Sequence, residues 1–81
     1  MASTPDSRIR AFGAAVRIRR EELELSQEAL GYKAKVHRTY VSDVERGARN
    51  PTVKVIWKLA HALETQPSVL LGIAEGVLGE G

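Results

Sequence analysis

The sequence predicts an all-α domain of five short helices, and three observations carry that prediction. Apolar residues recur at three- and four-residue spacing along most of the chain, the signature of helices with one buried face. No stretch alternates between apolar and polar residues as a half-buried strand does. Capping residues, glycine and proline cut the pattern into pieces too short for long helices. With 81 residues there is room for one modest core and no second domain.

Residues 1–7 are polar, carry Pro5 and form a flexible lead-in to a single domain over 8–78, with a short tail at 79–81. From Arg8 onward, Ile9, Phe12, Ala15, Val16, Ile18 and Leu23 recur at helical spacing, with Arg and Glu filling the other faces. This is the first helix. Ser26 is the N-cap of the second, over about 27–34, and Leu25 with Leu30 makes a hydrophobic staple across it. After a link around Lys35 and Val36, His37 or Thr39 opens the third helix, which Gly47 ends. Asn50-Pro51 breaks the chain, and Thr52 caps a fourth helix over 53–63 whose apolar residues are Val53, Ile56, Trp57, Leu59, Ala60 and Leu63. Trp57 shares a face with Val53 and Ala60 and is expected in the core or at its edge. Pro67 suits the first position of a fifth helix carrying Val69, Leu70, Ile73 and Val77, which Gly72, Gly76 and Gly79 weaken.

The composition excludes several classes. There are no cysteines, so neither disulfides nor thiolate metal sites can staple so small a core, and association is the expected aid. His37 and His61 are far apart with no second ligand at metal spacing. No apolar run approaches the roughly 20 residues that span a bilayer, and the first residues lack a signal peptide's apolar segment, so a cytoplasmic protein is expected. Net charge is only +2, but its placement is uneven. Lys33, Lys35, Arg38, Arg46, Arg49 and Lys54 face only Asp43 and Glu45 in their stretch, whereas beyond Lys58 the charged side chains are Glu64, Glu75 and Glu80. Such asymmetry is what an electrostatic footprint on an acidic partner needs.

The third helix lies within this basic stretch. Val41 and Val44 give it a thin apolar stripe, while Arg38, Thr39, Ser42 and Asp43 project elsewhere. A connection of three or four residues forces helices two and three into a bent pair at roughly 90–120°. In that arrangement the second helix of the pair can enter the major groove of DNA, where an Arg fork reaches guanine O6 and N7 and Thr or Ser serves several bases. Taken alone, the helix reads first as a solvated surface element, since polar faces are far commoner than binding faces. The whole succession of staple, short helix, short turn, polar helix, glycine stop and basic loop favours the groove reader.

From Gln27 through Ala34 and Val36 to Val41, Val44 and Glu45, and on through the run Arg46-Gly47-Ala48-Arg49-Asn50-Pro51, the chain resembles the lambda-repressor-like, Xre-type helix-turn-helix family. The resemblance covers about residues 9–71, and within the family HRTYVSDVERGARNP is most similar to controller proteins of restriction-modification systems. It implies a homodimeric regulator of transcription on double-stranded DNA at a roughly palindromic operator, located with the nucleoid and occluding or recruiting RNA polymerase. Gly31 stands where the family prefers Ala, at up to about 1 kcal/mol to the helix. Lys35 stands where a Gly often makes the turn.

Matching the family residue by residue, Arg38, Thr39 and Ser42 are expected to contact bases. Gln27, Arg46, Arg49 and Asn50 are expected on the sugar-phosphate backbone, with Gln27 also bracing the reading helix. Tyr40 either reaches phosphate through its hydroxyl or packs its ring against helix two. Arg20 and Glu45 match a pair that forms a partly buried salt bridge between helices one and three. Asp43, a carboxylate near phosphates, either accepts from a cytosine N4 or pairs with Arg46 or Arg38. His37 is a cap or a phosphate neighbour. Val69, Leu70, Ile73 and Val77 are the expected dimer seam, with simple core burial as the competing reading. A module that binds a protein partner through the last helix, such as an antitoxin, is the alternative function. No nucleophile-base set, paired carboxylates or phosphate-cradling glycine loop points to an enzyme, a cofactor or a small-molecule ligand.

Overall fold

In the computed structural model, which describes residues 6–79, helices start where a side-chain acceptor meets the unpaired amides of a first turn. Asp6 accepts from Arg8 N–H at 2.8 Å and opens α1, Ser7–Glu22, one residue before the boundary drawn from sequence. Ser26 accepts from Ala29 N–H at 2.9 Å and opens α2, Gln27–Ala34. His37 Nδ1 accepts from Thr39 N–H at 3.0 Å and opens α3, Arg38–Glu45, so of the two starts the sequence allowed, His37 is the cap. Thr52 accepts from Val55 N–H at 3.2 Å and opens α4, Val53–Ala62. The start of α5, Pro67–Leu78, has no side-chain cap and relies on Pro67. The remainder of the expected lead-in, residues 1–5, and of the tail, residues 80–81, lies outside the described residues.

One core forms where the apolar stripes meet: Phe12 and Val16 of α1, Leu30 of α2, Val41 and Val44 of α3, Leu59 of α4, Leu63 just beyond it, and Leu70 of α5. Helix α1 packs on α5 and α3, and α2 packs on α3 and α4. No helix of the described residues is long and apolar enough to cross a membrane.

Two expectations are corrected here. Trp57 is 59% exposed, because the buried stripe of α4 runs through Leu59, Ala60 and Ala62, leaving the Val53–Trp57 pair one step round the helix and facing outward. Leu70 is fully buried: it and Ala74 form the stripe of α5 that meets the core, so Leu70 cannot belong to a surface seam.

Close backbone approaches set the angles between helices. A Cβ on Gly13 would collide with the carbonyl oxygen of Val44 and lie 2.9 Å from that of Glu45, so α1 and α3 touch backbone to backbone. A Cβ on Gly31 would lie 2.7 Å from Val36 O and 3.2 Å from Arg38 N. The glycine that weakens α2 as an isolated helix therefore permits the elbow. Lys35 ends α2 in the left-handed region at φ 60°, and Val36 N–H donates to Gly31 O at 2.9 Å, completing a Schellman turn with lysine where glycine is usual.

Candidate nucleic-acid interface

The turn at Lys35 swings α3 across α2 so that Val41 and Val44 are buried and the opposite face is open. Arg38, Thr39, Ser42, Asp43 and Arg46 then line one open surface depression of about 260 Å³, joined by Gln27 from the start of α2. Three residues expected at bases and two expected at phosphates thus share one surface. Arg38 and Thr39 are exposed and Ser42 is half-buried. Among the described residues, Arg38 has neither an ion pair nor a side-chain hydrogen bond, which leaves its five donors available.

Behind the depression an ion pair anchors α3. Arg20 Nε donates to Glu45 Oε2 at 2.6 Å and Arg20 Nη2 to Oε1 at 3.0 Å, a bidentate fork. Gln27 Nε2 donates to the same Oε1 at 3.0 Å, and Arg20 Nη1 donates to Leu25 O at 2.7 Å. The side chains of Arg20 and Glu45 are only 12% and 4% exposed. The hydrogen bond to Glu45 raises the Arg20 pKa above its usual value, with burial opposing. One carboxylate therefore ties α1, the start of α2 and the end of α3 together, and Gln27 braces α3 from the rim of the depression.

On the other flank, Tyr40 packs against the core, and the Arg49 guanidinium sits 5.1 Å from its ring centroid, within cation–π range. The Tyr40 ring is thus packed on the core on one side and covered by Arg49 on the other. Asp43 pairs with Arg46, not Arg38, and its other oxygen lies 3.8 Å from Arg49 Nε. Asn50 is exposed but stands apart from the depression, on a groove shared with Arg8, Ile9, Pro51, Ile56 and Leu71.

Two features escaped the sequence reading. Gly13 was signalled only by the run of small residues Gly13-Ala14-Ala15 in a helix interior, where glycine is unfavourable unless something approaches closely. The stacking of Arg49 on Tyr40 joins residues nine apart across the end of a helix, which no local pattern announces. Along α5, Val69 and Val77 are 46% and 49% exposed and Ile73 is half-buried.

The Helix-turn-helix family matches residues 16–70 of the chain. The control protein C.BamHI of Bacillus amyloliquefaciens is 48% identical over 61 residues, covering 74% of this chain and 75% of the relative. The control protein C.SmaI of Serratia marcescens is 45% identical over 56 residues, covering 69% of this chain and 67% of the relative. Among solved structures, the restriction-modification controller protein C.AhdI from Aeromonas hydrophila superposes with a TM-score of 0.79 at 40% identity, covering 80% of this chain and 98% of that one.

Proposed function

The chain belongs to the Helix-turn-helix family of DNA-binding transcriptional regulators, and from that premise we propose that it is a restriction-modification controller protein that binds a palindromic operator as a homodimer. One observation carries the reading: Arg38, Thr39 and Ser42 line a single open depression on α3, flanked by Gln27 and Arg46. In the major groove, Arg38 would fork onto a guanine, and Thr39 and Ser42 would serve neighbouring bases. Gln27, Arg46 and Arg49 would hold phosphates on either side, with Asn50 reaching the backbone further along. The buried Arg20–Glu45 pair would keep the reading helix from rotating out of register. No step of this needs a cofactor or a small ligand.

The dimer would use the exposed side of α5, where Val69, Ile73 and Val77 offer a narrow apolar strip bordered by Gly72 and Gly76, whose surroundings are open. Two copies related by a twofold axis would present their α3 helices to half-sites one helical turn apart, about 34–36 Å. Bound there, the dimer would occlude RNA polymerase or recruit it, according to where the operator lies.

The test is sedimentation and footprinting with the duplex from upstream of its own gene. The expected result is a dimer protecting two half-sites about 10–10.5 base pairs apart, centre to centre, with affinity that falls steeply as salt rises. The same α5 strip would serve a module that captures a partner protein. A chain that prefers no genomic duplex, yet binds a partner protein through Val69 and Val77, would establish that function instead.

A further inference from the structure

Asp43 is in the wrong place for a phosphate-binding surface. Its carboxylate occupies the last turn of α3, where the helix dipole disfavours negative charge, and it lines the depression that would face DNA. Unlike Glu45 in the same turn, it makes no tie to α1: its partners are Arg46 at one oxygen and Arg49 at the other. Its side chain is 20% exposed, against 64% for Arg46 and 56% for Arg49, so the anion is sheltered beneath two cations that reach into solvent. Arg49 is held a second time by the face of Tyr40.

We infer that Asp43 is a specificity-determining positioning residue, which holds Arg46 and Arg49 in one arrangement and thereby weakens binding to duplexes that do not match the reading face. The inference rests on the DNA-binding reading above. Binding to an arbitrary duplex depends on phosphate contacts made in many orientations, so each arginine must leave Asp43 to seek its phosphate, and the uncovered carboxylate then repels the backbone. On a matching duplex the base contacts of α3 fix one docking pose. In that pose the arginines meet phosphates with donors that Asp43 does not use, since a guanidinium has five N–H groups and the pairing occupies few of them. Asp43 is thus a penalty against wrong partners that the right partner escapes.

The experiment compares the full-length chain with Asp43→Asn and Asp43→Glu on two duplexes, one selected by the wild-type chain from a random pool and one scrambled from it, from 50 to 200 mM salt. Asp43→Asn is expected to bind the scrambled duplex several-fold more tightly at the low-salt end and the selected duplex nearly as before, so that the ratio of the two affinities shrinks. Its salt dependence on the scrambled duplex should steepen by about one unit of slope, roughly a further threefold loss of affinity across that interval. Asp43→Glu, keeping the charge, should recover most of the ratio. If Asp43→Asn weakens both duplexes alike with an unchanged slope, the residue merely supports the fold and the inference is overturned. Loss of affinity for the selected duplex alone also overturns it, since Asp43 would then be reading a cytosine. Failure of the wild-type chain to prefer its selected duplex would bring down the functional reading itself, a different result from preference that Asp43→Asn leaves intact.

Discussion

Replacing Glu45 by alanine tests how α3 is held, and the structure sets the size of the effect. Three donors converge on this carboxylate, Arg20 Nε at 2.6 Å and Arg20 Nη2 and Gln27 Nε2 at 3.0 Å, and its side chain is 4% exposed. Removing it strands the Arg20 guanidinium, itself 12% exposed, with Leu25 O as its remaining acceptor. Breaking a buried pair from one side costs about 3–5 kcal/mol, and the retained bond to Leu25 places the expected loss near the lower end, at about 3 kcal/mol. For a chain of this length total stability is on the order of 4–12 kcal/mol, so a quarter or more of it would go. Urea denaturation reads this directly, and a double-mutant cycle isolates the pair. Arg20→Met with Glu45→Leu should lose much less than the two single changes added, because an apolar pair leaves no buried charge behind. Hydrogen bonds to Glu45 raise the Arg20 pKa above its already high ordinary value, so the pair's contribution is fully present at every pH below that value and is lost only above it; no pH dependence from Arg20 is expected in ordinary buffers. A loss under about 1 kcal/mol for Glu45→Ala, as for a surface pair, or full additivity in the cycle, would refute the reasoning.

The backbone approaches and the two faces of α5 yield three more expectations. Gly31→Ala should destabilise despite alanine's better helix propensity, because the new methyl would meet Val36 O at 2.7 Å, and a higher melting temperature would show that the elbow gives way freely. Lys35→Gly should stabilise by about 0.5–1 kcal/mol, since φ 60° strains an L-residue, and unchanged or lower stability in urea would contradict that account of the turn. Leu70→Ala, in the core, should cost about 2–5 kcal/mol, whereas Val69→Ser with Val77→Ser should leave monomer stability within about 1 kcal/mol while weakening self-association in sedimentation. An unaltered dimer in the serine variant would rule out the α5 strip as the seam.

Much of this fold was legible because helix starts are local. Ser26, His37, Thr52 and Pro67 announce themselves within a few residues of the amides they serve or replace, and the structure uses all four. What local pattern does not fix is the rotation of a helix about its axis. On α4 and α5 the apolar residues occupy more than half the circumference, so a rotation of 100° decides which of them is covered; Trp57 was turned out and Leu70 turned in. The residues lining the depression were named from α3 and its flanks, and Arg46 was one of the two partners offered for Asp43, but the contacts of Arg49 were not named. Arg49 meets both Asp43 and Tyr40 beyond the end of α3, where Gly47 turns the chain at φ 75° and Ala48 N–H donates to Asp43 O at 2.8 Å. Gly13 shows the same limit from the other side: its purpose lies in the carbonyls of Val44 and Glu45, some thirty residues away.

Whether α3 reads the major groove through Arg38 can be asked of the DNA itself, by methylating guanine N7 in the selected duplex and finding which modified positions block binding. The account predicts interference at one or more guanines in each half-site, with one such position in each half lost for Arg38→Ala and all of them kept for Arg49→Ala. No interference at any guanine N7, or a pattern indifferent to Arg38→Ala, would contradict it.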